Sequence, residues 1–544
     1  MNQPLTPQQS QWVESTLSKL SLEESLAQLL CVSQGESAPE YWLRLIEKTP
    51  VGSIRARTRS AQAYRELLTA AQNHSPIPLL IPANMEHGAS ELGGYGTDFP
   101  WPMAAGAAND EALMRMRGEA VAVEARHIGV NWVFHPVVDL NYNPNNPITN
   151  VRSMGDQPER VSRLAVATIA ALQANGLAAT AKHFPGDGID DRDQHLLTTI
   201  NSLPFDQWLE TFGQVWRNVI DAGVMCIMPG HISLPDYQGY RDDPAAAPPA
   251  TLDSKLLIDL LRGELGFDGM IVSDNAGMIG LTIHTTPEDQ IVQSIASGID
   301  MYLNADPEHD FDRLLQGVHD GRLSEERVQD ATRRVLAMKA RLNLFDAPAA
   351  PAPTAEQHAS FAAAAQTMAD KSVTILRQNE PLTLTLEPGT KVLTVTYGQF
   401  SPMFGESDLE EFDKALGERG FAVTHLLNPG SDELRQAAEG CQAVFINLSA
   451  MPFVTLANIR MTDTFRTWGW RSLYRSHPQV VYTAFGNPYI AYEAPQLPRL
   501  ITTYGRSTVS QRAAVKFWLG EIEAQGSLPV QMPQVQIKAW PVSA

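Results

Sequence analysis

Asp193 and His195 stand two apart at the end of the stretch AKHFPGDGIDDRDQH (181–195), where Pro185, Gly186 and Gly188 break any helix or strand. On a loop, a carboxylate at that spacing can turn back and accept a hydrogen bond from one imidazole nitrogen. This fixes the ring's tautomer and raises the basicity of its other nitrogen. Such a pair suits general acid/base work near neutral pH, and the glycines give the loop freedom to swing. Two plainer readings compete. Four aspartates in seven positions (Asp187, Asp190, Asp191, Asp193) suggest calcium, but D-x-x-D-D-x-D lacks the EF-hand register and its terminal Glu. The other is a solvated acidic loop without a role, its extra acids serving only as surface charge or loop hydrogen bonds.

Asp274 is the second candidate. In GFDGMIVSDNAGMIGL (266–281) it ends a short apolar strand, where an acid serves as nucleophile, ligates a metal or caps the next turn. Lys182 and His183 close the run GLAATAKHF and bring donors suited to hydroxyl-rich ligands. Arg152, in NPITNVRSMGDQPERV, adds further donors. His231 ends GVMCIMPGH as either a satisfied core imidazole or a ligand contact.

These residues need a scaffold. Short apolar, β-branched runs recur at 29–33, 51–56, 79–86, 130–140, 176–184, 223–231, 269–275 and 298–304. Helix-length segments such as DEALMRMRGEAVAVEARH and PERVSRLAVATIAALQAN separate them. Eight strands alternating with helices predict a (β/α)8, TIM-like barrel over 1–345. An open doubly wound sheet is the alternative, but no Gly-rich dinucleotide fingerprint follows the first strand. Asn84 and Glu86, Asp139 and Asn141, Lys182 and His183, His231, and Asp274 and Asn275 all fall at strand carboxyl ends, the face on which barrel loops converge. A Pro/Ala linker and helix (346–371) lead to a smaller doubly wound α/β domain (372–544). Its strands are read at 392–397, 421–427, 443–449, 480–485 and 499–504. It has no dense charged loop and reads as a packing partner.

Composition narrows the function. With 61 acids against 41 bases the chain carries a formal charge of −20, which opposes a nucleic-acid partner and offers anionic lipid nothing. No run approaches a membrane span, and the N-terminal stretch lacks the basic and apolar regions of a secretory signal. Three scattered cysteines, Cys31, Cys226 and Cys441, fit free thiols in a reducing compartment. A cytoplasmic enzyme is expected.

Together these stretches resemble glycoside hydrolase family 3, in its β-N-acetylglucosaminidase branch and two-domain form. HPVVDLNYNPNNPITNVRSMGDQPERV is similar to that branch's asparagine-rich loop, AKHFPGDGIDDRDQH to its Lys-His-Phe-Pro-Gly loop ending Asp-x-His, and PATLDSKLLIDLLRGELGFDGMIVSDNAGM to the approach to its nucleophile. FGNPYIAYEAPQLPRLITTYG resembles the second domain of longer members. The resemblance implies a retaining exo-acting β-N-acetylhexosaminidase that removes terminal GlcNAc from small soluble glycans without cofactor or metal. Asp274 would be the nucleophile and His195 the acid/base polarised by Asp193, while Lys182, His183 and Arg152 would hold the sugar. Asn84 stands where the family's sugar-binding Asp is expected, and Leu92 where an Arg is. Both bear on which sugar fits. The competing functions are phosphorolysis or transglycosylation by the same residues, another β-glycoside specificity, and a non-catalytic sugar-binding protein.

Overall fold

The computed structural model describes residues 4–33, 38–56, 60–92, 94–346, 350–379, 383–398, 409–452, 454–455, 460–461 and 467–533. The chain divides into two compact units, Met1–Thr97 with Glu111–Leu140 and Pro158–Phe361, and Asp98–Asp110 with Asn141–Gln157 and Ala362–Ala544.

The first unit is the barrel. Its strands are β1 (Leu30–Ser33), β2 (Ser53–Arg55), β3 (Pro82–Ala83), β4 (Trp132–Val133), β5 (Ala178–Phe184), β6 (Cys226–Pro229), β7 (Met270–Ile271) and β8 (Tyr302–Ala305). All pair in parallel. β8–β1–β2 form one run and β3 to β7 another, and single bridges at Ser53–Leu80 and Val272–Met301 close the ring. Several paired segments are shorter than their apolar runs. The run 130–140 pairs regularly only at Trp132–Val133, because Pro136 has no N–H to donate; a lone bridge, Val137 to Lys182, resumes beyond it.

β5 is buried along its whole length, as a strand enclosed by helices outside and barrel core inside must be. Helices Glu111–His127 and Pro158–Ala174 pack outside it, as their periodicity predicts. The stretch Lys255–Glu264 is wound more widely, with Leu265 N–H reaching the Leu260 carbonyl at 2.9 Å. Two short strands not read from sequence, Thr199–Ile200 and Ile232–Ser233, pair with each other and join the exits of the loops after β5 and β6.

The second unit holds a six-stranded sheet. Its strands are β9 (Thr374–Gln378), β10 (Lys391–Gly398), β11 (Ala422–Leu427), β12 (Ala443–Ala450), β13 (Val480–Gly486) and β14 (Arg499–Thr502). The order is β9–β14–β13–β12–β10–β11, parallel except at β9. That is the doubly wound arrangement, with an antiparallel edge strand added. Apolar clusters cover both faces, one around Leu393, Ile446 and Tyr482 and the other around Phe412, Phe445 and Trp518.

Stretches 98–110 and 141–157, which fall between barrel strands in sequence, belong to this unit. Met103, Ala104, Ala107 and Val151 cluster with Tyr489, Tyr504 and Val530. Asn141 Nδ2 donates to Tyr489 Oη at 2.8 Å, and Asp156 takes the Gln531 N–H at 2.6 Å. Of the linker, 347–349 lie outside the described residues; Ala355–Ser372 is the helix that follows.

Cys31 and Cys226 are buried free thiols and Cys441 is partly buried; burial pushes the Cys31 thiol up to about 11. Among the described residues no helix is long and apolar enough to cross a membrane.

Candidate active site

The carboxyl ends of β3 to β7 bring the barrel's candidate residues together. Lys182 Nζ lies 2.8 Å from Glu86 Oε1, both nearly buried, so the lysine's charge is committed to a carboxylate from the loop after β3. His183, the next residue, is gripped by Asp139 from the loop after β4. The Asp139 carboxylate accepts from His183 N (3.1 Å), from its Nδ1 (2.7 Å) and from Asp187 N (2.9 Å). Facing a carboxylate, Nδ1 carries a hydrogen, and this turns Nε2 toward Asp274, 3.9 Å from Oδ2.

Asp274 keeps 15% of its side chain exposed. Burial would raise its carboxyl, but the imidazoles of His183, His231 and His195 and the Asn275 N–H outweigh that and hold it below the ordinary aspartate value. A carboxylate ionised at every working pH and open on one side is what a nucleophile at carbon requires.

His195 sits on the loop as the spacing predicts. Asp193, wholly buried, accepts from both His195 N (2.8 Å) and Nδ1 (2.7 Å). Nε2 is therefore left for proton exchange on a ring that is 22% exposed. Expected to swing, the loop is tied at many points. Trp208 and Trp216 Nε1 both donate to the Pro185 carbonyl at 3.0 Å, and Asn201 Nδ2 to that of Gly186. Gly186 adopts φ +132°, and a Cβ there would lie 2.1 Å from a Phe212 ring carbon, so this glycine serves close packing. The extra acids brace the loop. Asp187 accepts the Gly188 N–H, and Asp190 takes the Ile200 N–H and the Arg192 guanidinium. Asp191 alone is exposed.

His231, expected as a sugar contact or a core imidazole, is the second. It is fully buried with both ring nitrogens used: Nε2 donates to the Asn275 carbonyl and Nδ1 faces Thr251 Oγ1, each at 3.0 Å. Burial holds its pKa below the ordinary value. Its role is to hold the backbone beside Asp274. Asn84 is exposed at the end of β3. Arg152 lies in the other compact unit, ending the turn Asn150–Arg152.

Sequence reading set Glu86 and Asp139 among the polar strand ends without a role, and missed Gln194 and Thr251. Gln194 Oε1 takes the His231 N–H at 2.9 Å, and its Nε2 reaches Asp187. Among the described residues no cluster of three His, Cys, Asp or Glu side chains is arranged to hold a metal.

A parallel barrel whose mouth joins a strand-end carboxylate to a loop His–Asp pair has the parts of a hydrolytic enzyme. Residues 21–338 match the glycosyl hydrolase family 3 N-terminal domain, and the chain belongs to that family. It is 35% identical, over 95% of each chain, to a β-N-acetylglucosaminidase/β-glucosidase from Cellulomonas fimi. Among solved structures, a β-glucoside phosphorylase bound to 2FGlc matches with TM-score 0.87 and 30% identity over 97% of each chain. A β-N-acetylglucosaminidase of the same family from Paenibacillus matches with TM-score 0.81 and 26% identity, over 94% of this chain and 99% of that one.

Proposed function

We propose that this protein is a retaining exo-β-N-acetylhexosaminidase that releases terminal GlcNAc from small soluble glycans. The observation that carries the reading is the convergence of Asp274 and the Asp193–His195 pair on one barrel mouth. In the first step an Asp274 oxygen attacks the anomeric carbon, the bond to the leaving oxygen breaks, and His195 Nε2 gives that oxygen its proton. Asp193 stabilises the imidazolium beforehand. In the second step the neutral imidazole takes a proton from water, whose oxygen displaces Asp274 and regenerates the carboxylate. Two inversions leave the product in the β configuration. The names of the relatives in Cellulomonas fimi and Paenibacillus support the sugar.

A second reading, phosphorolysis, is favoured by one feature. A neutral imidazole in the second step adds no negative charge beside the acceptor, so phosphate is repelled less than by a carboxylate base. The likeness to a β-glucoside phosphorylase points the same way.

One assay separates the readings. Aryl glycosides differing at C2 and C4 are offered with and without phosphate, and the products are analysed. Free GlcNAc unaffected by phosphate supports hydrolysis; a sugar 1-phosphate supports the second reading. Asp274→Asn should fold normally and lose turnover by on the order of 10⁴-fold or more. Wild-type-like turnover from that variant removes the mechanism.

A further inference from the structure

We propose that the segment 278–284, which follows Asp274 in the chain, is a clasp that positions the acid/base loop, with Gly280, Thr198 and His284 as its positioning residues. The inference rests on the reading of His195 given above and concerns residues outside the chemical trio.

Three hydrogen bonds and one close approach define the clasp. Ile279 N–H donates to the carbonyl of His195 itself at 3.1 Å. Thr198, three residues beyond His195, donates its hydroxyl hydrogen to the Gly280 carbonyl at 2.8 Å. The same oxygen lies 2.6 Å from His284 Nε2. A hydroxyl has one hydrogen, so with that hydrogen on Gly280 the His284 Nε2 must be the donor. Thr198 is thus held from two sides.

The fourth contact is the close approach. A Cβ on Gly280 would lie 2.6 Å from the Gln194 carbonyl oxygen, 3.0 Å from that of Leu197 and 3.1 Å from His231 Cβ. The glycine's φ is ordinary, so space alone excludes a side chain. The backbone on both sides of His195 rests directly on Gly280.

The clasp is itself anchored. Met278 and Leu281 are buried, Met278 N–H reaches the Asn275 carbonyl at 3.1 Å, and Ala276 N–H reaches Leu303 on β8. Nucleophile and acid/base therefore hang from one short stretch, and a shift of 278–284 changes the placement of His195 against Asp274. General acid catalysis is steep in such placement.

The test compares two glycosides of the same sugar. A 2,4-dinitrophenolate leaves without a proton, whereas an alkyl alcohol needs one. Thr198→Val and Gly280→Ala should lower kcat/KM on the alkyl glycoside by about 10–100-fold and on the dinitrophenyl glycoside by no more than about threefold, because general acid assistance is worth roughly 10²–10⁴-fold. Thr198→Ser, which keeps the hydroxyl, should behave as wild type on both. Equal losses on the two substrates, or no loss on either, overturn the clasp. Thr198→Val, nearly isosteric, decides the matter if Gly280→Ala does not fold. His195→Ala separates the two failures. If it is impaired equally on both substrates, the acid/base reading falls and the clasp with it. If it is impaired on the alkyl glycoside while Thr198→Val is not, the clasp falls alone.

Discussion

Both parallel sheets of this protein bury polar side chains at the carboxyl ends of their strands, but in different kinds. In the barrel they come as pairs of a basic with an acidic side chain: Lys182 with Glu86, His183 with Asp139, His195 with Asp193. In the second unit they form a neutral row, Thr396, Asn447 and Thr483 side by side in register on β10, β12 and β13. Thr483 Oγ1 accepts from Trp518 Nε1. Thr396 Oγ1 and both amide atoms of Asn447 have no partner among the described residues. Polar strand ends are thus a property of the architecture. What marks the barrel mouth is that acidic and basic side chains hold one another, two of the three pairs from stretches far apart in the chain, and leave Asp274 facing three imidazoles.

That contrast can be broken or sharpened by substitution. The largest effect is expected in the barrel. Lys182→Met removes the ammonium that faces the buried Glu86 carboxylate, and should cost about 3–5 kcal/mol in denaturant unfolding. Adding Glu86→Gln should recover part of that loss, and strict additivity of the two would dissolve the pair.

A smaller effect of opposite sign is expected in the second unit. Asn447→Leu removes an unpaired buried amide and should raise stability by about 1–3 kcal/mol, with turnover unchanged. A loss of stability would show that the row is satisfied in solution, and a loss of turnover would give it a role.

The smallest is a pH effect confined to the barrel. The folded state resists protonation of His231, so below the ordinary imidazole value of 6.5 the unfolded chain binds more protons and stability falls as pH drops. Asp274 acts in the same direction, but only below the ordinary aspartate value of 3.8. Unfolding midpoints of His231→Asn between pH 7 and 5 should slope less than those of wild type, while Asn447→Leu should leave the slope unchanged.

Much of the fold was legible in the chain. Seven of the eight barrel strands lie within the apolar runs and the eighth, Tyr302–Ala305, passes its run by one residue, because a strand enclosed on both sides must be apolar and turn residues must bound it. The edge strand Thr374–Gln378 escaped notice since it is half-exposed and follows a helix directly. The Asp193–His195 pair could be read from spacing, its partners being two residues apart. Asp139 could not be matched to His183, nor Glu86 to Lys182, because those partners lie 44 and 96 residues apart and meet only across barrel strands.

The order of strands, the acid at the end of GMIVSD and the local His–Asp pair were determined by the chain alone, since each depends on neighbours within a few residues. Which charges remain available is a tertiary matter. The closed sheet gave Lys182 a carboxylate, enclosed His231 behind Asn275, assigned Arg152 to the other unit, and laid the backbone flanking His195 on Gly280. Burial and pairing depend on what other strands deliver to the same point, and no local pattern encodes that.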